Sequence, residues 1–357
     1  MTLARAPYME WAKSRPRPRI DLAGSNLLPC RLEELPGARE ALDVAGESPE
    51  GYLPLREAIA ARHGVAVDRV ATGGGCSGAN FLTCAALLSA GDTVLVETPH
   101  YDPLPASAQM LGADITFFPR RFEDGFDVDP DAVAAALTPR TRLVILTNPH
   151  NPSGALISEA SVRALARLAA ERGIHVLFDE VYRDTVLDGR PAPAALTSER
   201  FVSTSSLTKS FGLASLRCGW ALASPEVAES IRRARDVVDV WAPMPADRMA
   251  VVAFAHMDRL ESRARAIVEA NQAAVSAFLQ SRSELACVPP RSTLAFPRLA
   301  EVEDSGPFVD RLFRETGVAV APGRFFGAPA HFRLAFGGEP AMVRDGLAAI
   351  AGALDAA

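Results

Sequence analysis

Between about residue 69 and residue 222, short apolar runs rich in Val and Ile alternate with stretches patterned for helix. The runs are RVAT, TVLVE, ITFF, RLVILT, IHVLF, FVSTS and GWALA. Helix starts are marked between them: Asp129-Pro130 precede DAVAAAL, and Ser158 precedes a helical stretch that ends at Gly173. A polar cap, a first-turn proline and a terminal glycine are favoured at such positions. Continuous apolar strands separated by helices predict a mostly parallel, seven-stranded sheet covered by helices on both faces.

The pattern changes after SPEVAESIRRARDVVDV. Pro243 and Pro245 are expected to end that helix, and a long Ala- and Arg-rich helical stretch then runs to about Arg282. Beyond it come the strand candidates LACV, TLAFPRL, VAVA and HFRLAF, with helices near 307–316 and 340–354. This reads as a smaller α+β unit. The chain has 357 residues, 48% of them hydrophobic, and exceeds the length at which single cores usually divide. The expected organisation is an N-terminal arm over 1–45, a large domain over 46–245 and a small C-terminal domain over 246–357.

Composition removes several function classes. A net charge of −6 argues against a nucleic-acid footprint, and the basic stretch Lys13–Arg19 reads as a solvated arm. Five cysteines without CxxC spacing and six histidines without HExxH point to a reduced, cytoplasmic protein with no metal site. MTLARAPYMEW lacks the apolar core of a signal peptide, and no apolar run approaches membrane-spanning length, so a soluble protein with no membrane partner is expected.

In an open parallel sheet, ligands bind beyond the carboxyl ends of the strands. The chemistry-bearing residues follow the apolar runs. After RVAT comes GGGCSGANFL, a glycine loop opening a helix whose free N–H groups and dipole suit a phosphate. After RLVIL comes TNPHNPSG, where two Asn-Pro pairs hold an amide in a set direction. IHVLF leads into DEVY, with Asp179 and Tyr182, and FVSTS leads into SLTKSFG, with Lys209. Taken singly, a strand-end Asp is a helix cap and a Lys among serines is solvated. Together they supply what pyridoxal phosphate requires: a phosphate cradle, an amine for an imine, an acid at the pyridine nitrogen and donors to the phenolic oxygen.

At these residues the chain resembles the class I/II aminotransferases of pyridoxal-phosphate fold type I, from about Ile20 to the C-terminus. SLTKSFGLASLRCGW (Ser206 to Trp220) carries most of the likeness, joined by NPHNPSG, FDEVY, YLPLREAIAARHGV and VAVAPGRFFG. The resemblance implies a transaminase working between an amino acid and a 2-oxo acid, as a homodimer with its sites at the subunit interface. Lys209 would carry the cofactor as an imine and move the substrate proton. Asp179 would pair with the ring nitrogen, and Asn151 and Tyr182 would bond the phenolic oxygen. Gly75, Cys76, Ser77, Ser206 and Arg217 would hold the phosphate, and Tyr101 would stack on the ring. Gly24 and Asn151 would border the substrate, and Arg333 would clamp its carboxylate. Cis peptides are implied at Thr98-Pro99 and Asn151-Pro152. Arg324, Asn26, Tyr8 and Trp11 are the places to look for selectivity.

Two departures and two rivals stand beside this reading. A phosphate-contacting tyrosine of the family has Gly46 in its place, and Arg324 stands where a small residue is usual. GGGCSG also satisfies GxGxxG, with Glu97 about 20 residues on, as in an NAD-dependent dehydrogenase. That fingerprint leaves Lys209, Asp179 and the Asn-Pro turn unexplained. A non-catalytic sensor half of a DNA-binding regulator lacks a helix-turn-helix pattern here. The same machinery also serves lyases, decarboxylases and cyclases.

Overall fold

In the computed structural model, which describes residues 4–356, all seven apolar runs are strands of one sheet. They are β1 (Val70–Gly74), β2 (Thr93–Thr98), β3 (Asp114–Pro119), β4 (Thr141–Thr147), β5 (His175–Asp179), β6 (Phe201–Ser206) and β7 (Cys218–Leu222). Their order across the sheet is β1-β7-β6-β5-β4-β2-β3, and only β7 runs against its neighbours. The carboxyl ends of the other six therefore open on one side. Alternation along each strand splits the apolar residues between two cores: Val94, Val96, Leu143 and Ile145 on one face, Leu95, Val144 and Leu146 on the other.

The caps behave as their chemistry demands. The Asp129 carboxylate accepts the Asp131 N–H at 2.9 Å, and the Ser158 hydroxyl accepts the Ser161 N–H at 3.1 Å. The expected long helix after Pro245 is two helices, Met244–Ala255 and Met257–Gln280, which meet at His256. Pro245 lies in a first turn, where its missing N–H leaves no bond unmade, so it starts a helix and does not break one.

The C-terminal strands form a small antiparallel sheet of Leu294–Ala295, Phe332–Ala335 and Ala321–Pro322. Helices Gly306–Thr316 and Pro340–Asp355 bury Leu312, Val343, Leu347 and Ile350 against Val318, Leu334 and Phe336. Lys13–Arg19 is largely exposed, as expected of a solvated arm, but the segment around it is anchored. Pro7–Ser14 forms helix α1, Tyr8 is buried, and Arg15 pairs with Asp21 at 2.8 Å. Ile20–Asp21 then pairs with Val318–Ala319, and the Leu27 N–H donates to the Lys209 carbonyl at 3.1 Å. Residues 22–27 are thereby stretched across the ends of the large sheet.

Candidate active site

A cavity of about 240 Å³ lies at those strand ends, and most of the residues singled out in the sequence border it. Directly after β6, Leu207–Phe211 makes a single helical turn capped by Ser206, whose hydroxyl accepts the Thr208 N–H at 3.3 Å. Lys209 projects from this turn into the cavity, donating to Ser25 Oγ at 3.1 Å and Asn26 Oδ1 at 2.8 Å. Burial, with the Arg333 guanidinium second, pushes its ammonium down to about 8. Ser25 also accepts the Tyr182 hydroxyl at 2.7 Å, so one serine links the two side chains. Nothing in the pattern around Ser25 marks it, because the contact spans 184 residues.

Asp179 ends β5, buried but facing the cavity. Its Oδ1 accepts from the Val181 N–H at 3.1 Å and the Cys76 thiol at 3.3 Å, and its Oδ2 from Asn80 Nδ2 at 2.8 Å. Burial pushes this carboxyl up, and the donors, Asn80 foremost, pull it back.

The Asn-Pro turn is fixed from below. Glu97 and Arg120 are fully buried and pair at 2.7 Å; Glu97 accepts the Thr147 N–H at 2.8 Å, and Arg120 donates to the Thr147 carbonyl at 3.0 Å. Thr147 Oγ1 accepts the Asn151 N–H at 2.9 Å. Arg333 Nη1 then donates to Asn151 Oδ1 at 2.9 Å. A guanidinium only donates, so the Asn151 carbonyl must face it and the NH₂ remains for the cavity. That is what the constrained turn achieves. The cis bonds are Thr98-Pro99 and Asn148-Pro149; Asn151-Pro152 is trans, contrary to expectation. The dinucleotide rival also falls here, since Glu97 is sealed against Arg120 and has no free oxygen to offer a ribose.

At the phosphate end, helix α2 (Gly75–Leu87) begins immediately after β1. Gly75 is not a free donor: its N–H bonds the Arg217 carbonyl at 2.7 Å. Its part is steric, because φ is +76° and a Cβ there would lie 2.3 Å from Arg217 Nη2. Cys76 and Ser77 follow in the first turn, where helix N–H groups have no intrahelical acceptor. The Arg217 guanidinium donates to the Gly74 carbonyl at 3.0 Å beside them. Thr208, which the sequence reading passed over, places a buried hydroxyl without a protein partner in a residue lining the same cavity. Its position in SLTKS, next to Lys209, was the available signal.

Arg333 is fully buried, and no carboxylate of the described residues pairs with it. Besides Asn151 it meets the Ala23 carbonyl at 2.8 Å and the Tyr8 hydroxyl; its Nε has no partner. The rings of Tyr8 and Phe326 lie 4.7 and 4.8 Å from its guanidinium carbon. A buried cation without a counterion is costly, and an incoming anion relieves that cost. Tyr101 borders the cavity with its hydroxyl on Met9 Sδ at 3.3 Å, and Asn26 and Met9 border it too. Gly24 does not: it is exposed, its N–H turned to Asp21 at 2.9 Å. Arg324 is exposed over Phe325, and Trp11 packs on that same ring, so neither borders the cavity. Gly46 has φ +145°, a backbone conformation that side chains rarely adopt, and a Cβ there would lie 2.8 Å from Met244 Cε, so that methionine would have to shift.

The donor set fits pyridoxal phosphate: N–H groups, hydroxyls and a guanidinium at one end, and a carboxylate, an amide NH₂ and a primary amine around the remainder. Residues 38–350 match the family model for aminotransferase class I and II. The chain belongs to the class I and II aminotransferases. Among relatives of this aminotransferase, capreomycidine synthase of Streptomyces vinaceus is 32% identical over 98% of this chain and 93% of its own. A PLP-dependent aminotransferase structure from Streptococcus suis superposes with a TM-score of 0.93 at 25% identity, covering 100% of this chain and 99% of that one. The PLP-dependent cyclase OrfR superposes at 0.89 with 29% identity, covering 100% and 98%. The protein is thus a transaminase by family, and pyridoxal phosphate is the cofactor its family and neighbours imply. Among the described residues, no helix of this aminotransferase is long and apolar enough to cross a membrane, and no group of metal-ligating side chains is found.

Proposed function

We propose that this aminotransferase holds pyridoxal phosphate through Lys209 and exchanges an amino group between an amino acid and a 2-oxo acid in the cavity it shares with Asp179. The observation that carries the reading is Lys209 itself. It is an amine pushed down to about 8, set between hydroxyl and amide acceptors, in a cavity with a carboxylate beside it and a helix start at one end. When bound, the cofactor supplies the electron sink for the pair left at the amino acid's Cα. Cys76 and Ser77 N–H groups, Ser77, Ser206 and Thr208 hydroxyls and Arg217 bind its phosphate. Asp179 faces its ring nitrogen, Asn151 and Tyr182 face its phenolic oxygen, and Tyr101 covers the ring. Arg333 and the Asn151 amide orient the substrate carboxylate, and Lys209 moves the Cα proton.

The test is a half-reaction screen. Holoenzyme mixed singly with common amino acids should convert to the amine form of the cofactor and release a 2-oxo acid, seen as loss of the visible absorption. Cyclisation is a second reading, favoured by the end-to-end match to a PLP-dependent cyclase. That match takes in the segment before residue 38, which brings Met9 and Asn26 to the cavity and Ser25 to Lys209. A cyclised product with no cofactor conversion would decide for it.

The assembly is a homodimer in this reading. Val237, Val238, Val240 and Trp241 are exposed, as are Leu42 and Val44. Arg248, in the helix Met244–Ala255 that follows Trp241, bonds Asp43 at 2.9 Å and the Ala45 carbonyl at 2.7 Å. Apolar side chains concentrated this way mark a surface for a second copy. Sedimentation should show a dimer that Trp241→Glu weakens; a fully active monomer would reject the assignment.

A further inference from the structure

Behind Asp179 lies a closed set of polar side chains. Cys76 and Asn80 are four residues apart on α2 and so share a helix face, which they turn to the Asp179 carboxylate. Thr204 on β6 stands in register with Asp179 on the neighbouring strand. Its hydroxyl bonds Asn80 Oδ1 at 2.5 Å, with the Phe178 carbonyl further off at 3.4 Å. Thr204 is fully buried and Asn80 only 3% exposed, so water cannot stand in for either partner.

This arrangement determines which way the Asn80 amide points. A carboxylate accepts only, so the amide oxygen cannot face Asp179 without repulsion. The NH₂ must face it, and Thr204 supplies the one proton that the amide oxygen needs. A buried asparagine in the interior of a helix is worse than leucine by propensity and by desolvation, so packing alone does not account for it.

We propose that Asn80, oriented by Thr204, is a positioning residue that keeps the Asp179 carboxylate ionised and aimed at the ring nitrogen of the bound cofactor. The groups facing Asp179 are the Cys76 thiol, the Asn80 amide and the Val181 N–H, and the Lys209 ammonium also favours its anion. A neutral amide stabilises the anion without cancelling its charge, and that charge stays available for a protonated aromatic nitrogen. Burial drives Asp179 toward its neutral form, and the Asn80 bond is the foremost influence opposing this. Without Asn80 the carboxyl protonates at higher pH. The inference rests on the cofactor reading above.

The experiment measures pyridoxal-phosphate affinity of the full-length protein by equilibrium titration across pH. Asn80→Leu should bind about tenfold more weakly at neutral pH, the scale of one lost bond to a charged group. The acid limb, where affinity is lost as pH falls, should move to higher pH. Thr204→Val should follow in the same direction, and Thr204→Ser, which restores the hydroxyl, should return to wild-type behaviour. In an Asp179→Asn background, Asn80→Leu should weaken binding no further, because the two act as a unit. If Asn80→Leu does not fold, the Thr204 pair and its cycle with Asp179→Asn decide alone. Wild-type affinity and an unmoved acid limb in folded Asn80→Leu or Thr204→Val, or equal losses with and without Asp179, would overturn the inference. A wild-type protein that takes up no pyridoxal phosphate would instead sink the cofactor reading itself.

Discussion

Lys209→Ala is expected to lower turnover by at least about a thousandfold, the upper range for losing a positioned proton-transfer group together with the covalent attachment. Pyridoxal phosphate should still bind, since the Cys76 and Ser77 N–H groups, Arg217, the hydroxyls and Asp179 remain. Borohydride should fix the cofactor on Lys209 of the wild type and on nothing in the variant. The depressed ammonium adds a pH dependence. Only the neutral amine attacks an aldehyde, so capture by the cofactor-free protein should speed up as pH rises and level off above about 8, where an ordinary lysine would keep gaining to above 10. Labelling of another lysine, or a rate still climbing well past that point, would show that Lys209 is not the attachment site.

Arg333→Lys is expected to cost about 2 to 4 kcal/mol in kcat/KM, or about thirtyfold to nearly a thousandfold, the loss of a two-pronged charge-assisted contact. The amino acid must present its Cα–H bond perpendicular to the cofactor ring, and a planar fork fixes that rotation where an ammonium does not. The structure sharpens this expectation. Arg333 has no carboxylate partner among the described residues, so it is not held as one half of a structural ion pair. It also orients Asn151 through the 2.9 Å bond to Oδ1, so the substitution should slow proton removal as well as weaken substrate binding. Cofactor affinity should change little. Measured on one variant, a lowered melting temperature with an intact single-turnover rate would mean that the clamp lies elsewhere.

The sequence alone was sufficient for the sheet. Strands such as β2, β6 and β7 are runs buried on both faces, a signal that short-range pattern carries in full, and the mostly exposed edge strand β3 still shows the apolar run ITFF. The caps at Asp129 and Ser158 were legible for the same reason, being contacts within three residues. Lys209, Asp179 and the Asn-Pro turn could be found because they sit directly after apolar runs, where ligands bind in such sheets. Tertiary structure decided what distance along the chain conceals. Lys13–Arg19 read as a solvated arm and is largely exposed, yet its Arg15 finds Asp21, and just before it Tyr8 enters the core. Gly75 looked like a phosphate donor, but a carbonyl 142 positions away takes its N–H. Ser25 reaches Lys209, Thr204 turns Asn80, and Arg333 turns Asn151, each across well over a hundred residues. Local pattern reports burial and turns because those are set by neighbours in the chain. The direction of an amide, and the partner of a buried charge, are set by whichever groups the packed fold brings within hydrogen-bond reach.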